Sequence, residues 1–159
     1  MKSDPIQSSI FKNFSFYGYH CRSPHAKHGV GTLTSNTILH KDITSNTTLN
    51  AIAVEIYAVM TFILVNVCIP PFTYPSISDL NNLVSNLNKP IIFIGDLNAW
   101  SPQWGSKPFN KKGHTVSKLI LDNDLVLNND QPTYFSTHNS FTNADIRLCS
   151  SRMYTFISW

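Results

Sequence analysis

The stretch Ile91-Ile92-Phe93-Ile94-Gly95-Asp96-Leu97-Asn98 decides how the chain is read. Its first four residues form a short, wholly apolar strand, which delivers an acid and an amide to its carboxyl end. Extended backbone turns successive side chains to opposite faces, so positions i and i+2 share one. Asp96 and Asn98 are therefore expected in one pocket, with Leu97 packed behind them. An acid so placed can orient and deprotonate a water, and a neighbouring amide can hydrogen-bond a phosphoryl oxygen. The same letters also fit a strand followed by an ordinary Asp/Asn turn.

Working outward, Ile77, Leu80, Leu83, Val84 and Leu87 recur at helical spacing. Ser76 or Ser78 can cap that helix, Asp79 sits in its first turn, and Lys89-Pro90 closes it. Upstream, Thr61 to Ile69 is apolar at nearly every position, as in a strand covered on both faces, and Pro70-Pro71 stops it. Ile52, Val54 and Ile56 alternate as in a strand buried on one face. Gly29 to Thr34 reads as a strand entered through glycines, and Phe14, Phe16 and Tyr19 keep a partial alternation. Downstream, Val116, Leu119 and Ile120 mark a second helix ending near Asn123. Leu125-Val126-Leu127 reads as a strand, followed by a polar loop through Pro132 and Thr137. Strand patterns return at Ala144 to Cys149 and at Tyr154 to Trp159, where the apolar pattern stops at the last residue as in a truncated domain. Strands dominate, with helices between them. The fold class is α/β, sheet on sheet with helices outside, in a single domain over residues 1–159.

Composition narrows the function. The 159 residues are 42% hydrophobic and 13% charged, which argues against disorder. A net charge of +3 permits a polyanionic partner, but the excess of base is milder than in a general nucleic-acid binder. Cys21, Cys68 and Cys149 are odd in number and far apart, so no disulfide framework follows and a reducing compartment is expected. Met1-Lys2-Ser3-Asp4-Pro5 carries no apolar signal segment. The stretch Ala58 to Pro71, interrupted by Thr61 and Asn66, is too short to span a bilayer. The expectation is a soluble intracellular domain without a membrane partner.

Several ordered motifs surround the central strand. Gly95-Asp-Leu-Asn-Ala-Trp-Ser-Pro-Gln-Trp-Gly-Ser is followed by Asn110-Lys-Lys-Gly113, then Asp124-Leu-Val-Leu-Asn-Asn-Asp130, Pro132-Thr-Tyr-Phe135 and Ala144-Asp-Ile-Arg-Leu-Cys-Ser150. Together they resemble the endonuclease/exonuclease/phosphatase superfamily, and within it the apurinic-type endonuclease domain of non-LTR, jockey-like retrotransposons. The resemblance runs the length of the chain and is strongest from Ile91 to Ser150; Ile69-Pro70-Pro71 and the strand near Gly29 fall in the expected order. It implies a four-layered αββα sandwich of the DNase I-like type, here incomplete, with the site at one rim of the paired sheets. It also implies phosphodiester hydrolysis of DNA with Mg²⁺ (or Mn²⁺), a downstream reverse transcriptase domain in the full-length relative, and action in the nucleus.

Carried over by motif, Asp96 matches the aspartate that orients or deprotonates the nucleophile, and Asn98 its phosphate-contacting partner. Asp145 matches the acid that supports a histidine pair near the metal; Asp96 and Asp145 are the nearby candidates for the metal itself. The resemblance also exposes departures. The family's metal-binding glutamate would precede Met1, and its Ser-Asp-His motif would follow Trp159. The one glutamate present, Glu55, lies in a strand that does not match, and no Asp-His pair occurs. Cys68 stands where a tyrosine is usual, and Trp100 where histidine is frequent. Weak or absent nuclease activity is expected, because each lost preorganised donor costs on the order of 100-fold. Two other readings stay open: a non-catalytic nucleic-acid-binding remnant, and a phosphatase on the same fold.

Around the site, Lys107, Lys111 and Lys112 are candidates for DNA backbone contact or for a merely solvated loop. Trp100 and Trp104 are candidates for stacking on a base or for packing against the loop. His20, Cys21, His25 and His28 bring four potential zinc ligands into nine residues. Their spacing is no standard zinc pattern, and a solvated loop that touches phosphate fits as well.

Overall fold

The computed structural model describes residues 11–20, 29–43, 47–106, 109–128, 133–135 and 141–157. Strands β1 (Phe14–His20) and β2 (Gly29–Ser35) pair antiparallel as a ribbon. Next come β3 (Leu39–Ile43), β4 (Asn50–Tyr57), β5 (Thr61–Cys68), helix α1 (Ile77–Ser85) and β6 (Ile91–Asp96). Helix α2 (Lys111–Asp122), β7 (Leu125–Leu127), the two-residue pair β8 (Tyr134–Phe135) and β9 (Phe141–Thr142), and β10 (Asp145–Ser150) complete the set. Single 3₁₀ turns cover Pro102–Trp104 and Ser151–Phe156.

One six-stranded sheet organises the molecule, in the order β3-β4-β5-β6-β10-β7. Every neighbouring pair is antiparallel except β5 and β6, which run parallel with α1 as their crossover. Its two faces follow from strand alternation. Ala51, Ala53, Ile63, Val65, Val67, Ile91, Phe93, Ile146 and Leu148 form the face that α1 and α2 cover with Leu80, Leu83, Val84, Val116 and Leu119. Burial of this order contributes roughly 1.5–3 kcal/mol for each large apolar side chain, so this interface dominates stability. On the opposite face, Ile52, Val54 and Ile56 pack with Tyr17 and Val30 of the β1-β2 ribbon. Helices, sheet and a second layer of strands thus stack in the α/β arrangement expected from the alternating pattern.

Helix α1 begins with a reciprocal cap. The Ser76 hydroxyl accepts from the Asp79 backbone N–H at 3.1 Å, while the Asp79 carboxylate accepts from the Ser76 N–H at 2.9 Å. That settles Ser76 over Ser78 as the cap.

Two departures from the expected elements are informative. Among the described residues, the end of the chain is not a strand. Ser151–Phe156 forms a 3₁₀ turn in which Met153 is buried, while Tyr154 and Phe156 are 50% and 73% exposed. The alternation of Tyr154 with Phe156 mimics a strand, yet Met153 and Ile157 are the residues that pack, beside Ile92 and Cys149. Ser158 and Trp159 lie outside the described residues. Conversely, the edge strand β3 carries no readable apolar alternation, and Leu39 is 71% exposed. No helix among the described residues is long and apolar enough to cross a membrane.

Candidate active site

The carboxyl end of β6 meets the amino end of β10. Asp96 and Asp145 are direct cross-strand partners, as are Gly95 with Ile146 and Ile94 with Arg147. Directly opposed residues share a face, with Cβ atoms about 4.5–5.5 Å apart. The third acid named from sequence therefore stands beside the first. Like charges so placed repel by about 1 kcal/mol in water, and by roughly four times that at a protein surface. Asp145 is exposed and Asp96 half-buried. Burial pushes the Asp96 carboxyl above its ordinary value, and the charge of Asp145 adds to the rise. The Asn98 N–H, the Asn98 side chain and Lys112 pull the other way without cancelling it.

Gly95 makes this rim possible. At φ +148° it has a backbone conformation that side-chain-bearing residues rarely adopt, and a Cβ there would lie 1.8 Å from the Val67 carbonyl oxygen. Only glycine lets β6 press this closely on β5 at the site.

Asn98 reaches Asp96 by a route the extended-strand argument did not anticipate. The strand ends at Asp96, and Asn98 sits at φ 47°, in the left-handed region that Asn tolerates better than most residues. Its backbone N–H donates to Asp96 Oδ1 at 3.1 Å, closing an Asx turn, and its Nδ2 donates to the Ile69 carbonyl at 3.1 Å. The two side chains are neighbours through this turn rather than through two-residue alternation. Leu97 is fully buried behind them, as expected.

Two asparagines that the motif reading left without a role hold the site loop in place. Asn110 caps α2 by accepting from the Gly113 N–H at 2.7 Å. The same Oδ1 accepts from the Trp100 N–H at 2.9 Å, and Nδ2 donates to the Asn98 carbonyl at 3.0 Å. Gly113 is needed beside it, because a Cβ there would stand 2.0 Å from the Trp100 carbonyl oxygen. Asn143, buried ahead of β10, donates to the Trp104 carbonyl and accepts from the Thr133 N–H. Thr133 Oγ1 accepts from the Asp145 N–H at 3.1 Å, so these loops position the second acid. An asparagine just before a helix is a readable cap signal. The role of Asn143 depends on partners distant in sequence and leaves no local trace.

The substrate-contact candidates divide. Trp100 is 38% exposed on the site loop, and Lys111 is exposed at the start of α2. For Trp104 the structure takes the packing alternative, and for Lys112 it corrects both readings. Trp104 is 2% exposed, its indole Nε1 donating to the Ala99 carbonyl at 2.9 Å, so it packs the core and cannot stack on a base. Lys112 is 3% exposed and donates to the Pro70 carbonyl at 2.8 Å, which removes it from direct backbone contact. It sits instead as a buried positive charge near Asp96 and Cys68. Burial pushes the Cys68 thiol up, with Asp96 adding to the rise and Lys112 opposing it.

Glu55 is excluded from this site by register. It pairs with Ile63 while Asn50 pairs with Cys68, so it lies five strand positions from the rim, roughly 17 Å at ~3.3 Å per residue. There it forms an ion pair with Lys89. Among the described residues no group of three His, Cys, Asp or Glu is gathered for a metal. Lys107, Cys21, His25 and His28 lie outside the described residues, as does the side chain of His20.

The class, the endonuclease/exonuclease/phosphatase superfamily, follows from a family match. A family model described as Endonuclease-reverse transcriptase matches residues 62–154, more than half of the chain, and the chain belongs to that family. Among solved structures it is similar to the endonuclease domain of TRAS1, a telomere-specific non-LTR retrotransposon. The TM-score is 0.68 at 21% identity, over 87% of this chain and 66% of that one. It is also similar to a mannosyl-6-phosphatase of Bacteroides thetaiotaomicron, with a TM-score of 0.53 at 10% identity, over 91% of this chain and 65% of that one. The chain thus spans just under two thirds of each. A search of curated proteins found no match. The fold is DNase I-like.

Proposed function

We propose that this domain cleaves phosphodiester bonds of DNA with the help of a divalent cation, as the nicking module of a retroelement polyprotein that also carries a reverse transcriptase. The supporting observation is the direct register of Asp96 with Asp145, built on a glycine that nothing larger can replace. Evolution of an apolar sheet toward stability alone would not oppose two carboxylates there.

In this reading Asp96 takes or orients the proton of the attacking water. Its raised proton affinity brings it closer to the working range of a general base. The Asn98 side chain contacts the phosphate, and Asp145 holds the acidic edge. Two carboxylates in register offer the oxygen chemistry that suits a hard ion such as Mg²⁺, which commonly binds through one or two carboxylates and retained waters. Such an ion would supply Lewis-acid polarisation of the phosphate. Lys112, close to Asp96, tempers the negative charge when no ion is bound. Action on chromosomal DNA would place the protein in the nucleus.

Within these 159 residues there is no Asp-His pair, and the one glutamate is held by Lys89. Cleavage by this chain alone is therefore expected to be weak. Purified chain with Mg²⁺ on supercoiled and on abasic DNA tests the reading. Slow nicking that Asp96→Ala abolishes supports it. Nicking that survives Asp96→Ala refutes the assignment of the site.

A further inference from the structure

Beside the acidic rim, the segment between β5 and α1 carries two aromatic side chains into solvent. Phe72 is 92% exposed and Tyr74 is 60% exposed. Two exposed rings within three residues form a small apolar patch, and the segment that carries them is firmly held. Its start is fixed by a turn from the Pro70 carbonyl to the Thr73 N–H at 3.0 Å, by Lys112 on that same carbonyl at 2.8 Å, and by Asn98 on Ile69. Lys111 Nζ and Lys112 Nζ each stand 5.6 Å from the centre of the Tyr74 ring. Tyr74 is thereby placed over the start of α2, whose cap Asn110 also holds Trp100. Phe72, Tyr74, Trp100 and Lys111 are thus exposed on segments tied by hydrogen bonds to Asn98, Asn110 and Lys112.

Resting on the hydrolase reading above, we infer that Phe72 and Tyr74, with Trp100, form a stacking platform for unpaired bases of a nucleic acid beside the scissile phosphate. A base presents its π-face to such rings only when it is unstacked, so the platform selects single-stranded or locally opened DNA over closed duplex. Lys111 serves the adjoining phosphate and enriches the Tyr74 face. Lys112 is already committed to Pro70, so the electrostatic share of binding is small and stacking carries the affinity.

Fluorescence anisotropy of a labelled oligo-dT, free and annealed, with the full chain in EDTA, tests this. The single strand should bind at least ten-fold tighter than the duplex, with a log-log salt slope of about −1. Phe72→Ala and Tyr74→Ala should each weaken single-strand binding roughly ten-fold, and Tyr74→Phe should retain it. Circular dichroism should show all three folded, since the side chains replaced are exposed. Equal affinity for both forms, or unchanged binding by the alanine variants, overturns the platform and leaves the hydrolase reading standing. A folded wild type that binds no nucleic acid overturns both. Concentration-dependent self-association that Phe72→Ala removes while oligonucleotide binding persists would reassign the face to a copy of the chain and overturn the platform.

Discussion

The two ends of the central sheet treat charge in opposite ways. At one end Glu55 meets Lys89, and the pairing holds the glutamate below and the lysine above their ordinary proton affinities. At the other end Asp96 faces Asp145, and burial with like charge lifts the Asp96 carboxyl. The first end answers a charge with its opposite, as a stabilising surface does. The second keeps a like charge beside a half-buried acid, tempered by Lys112 and by the Asn98 hydrogen bonds. On the proposed function, this is how a site of chemistry differs from a site of stability.

The largest test of that contrast is Gly95→Ala. Its methyl would meet the Val67 carbonyl in a backbone conformation closed to alanine. A loss of about 3 kcal/mol or more is expected, read by chemical denaturation. A loss below 1 kcal/mol would mean the rim can relax, and the forced opposition of acids would be an accident of geometry.

Next comes Asp96→Asn, which keeps shape and removes the repulsion. Stability at neutral pH should rise by up to about 1 kcal/mol. Because the folded protein binds this proton more tightly than the unfolded chain, wild-type stability should fall as pH rises from the ordinary aspartate value through the raised one. The Asn variant should lose that component. Wild type should also gain in Tm on adding Mg²⁺, and the variant should gain less. An identical gain in both would remove the cation from this pair.

The smallest effect is expected from Glu55→Gln at the opposite end, and with the reverse sign. A lowered glutamate stabilises above its unfolded proton affinity, and that stability is lost as pH falls through the folded one. The variant should flatten the acid limb of the stability profile and leave any nicking activity unchanged. Impaired nicking would bring Glu55 functionally into the site despite its distance.

The inner strands and both helices were legible because their apolar period is local. Phe93, Val65 and Leu119 announce burial from their immediate neighbours, and the structure places them in one core. Asp96 and Asn98 were singled out by the strand that precedes them and Asp145 by ordered motifs, and the sheet register brings the two acids together. What sequence hid is tertiary. Lys112 looks like a surface residue of a polar loop, and the sequence leaves Trp104 between stacking and packing; only the folding of that loop onto Ala99 and Pro70 buries both. Edge strand β3 escaped notice because an edge needs no apolar stripe, and the left-handed Asn98 because a turn of one residue leaves no period.

The strand order has a temporal consequence. β10, one of the last elements in the chain, inserts between β6 and β7, both of which precede it. Until it arrives, β6 offers an open edge and β7 has no neighbour in the sheet, while Asp96 stands without its counterpart. A nascent polypeptide emerging from the ribosome would hold a largely formed helical face yet no paired acids, so Asp96 and Asp145 come into register only once β10 has been synthesised.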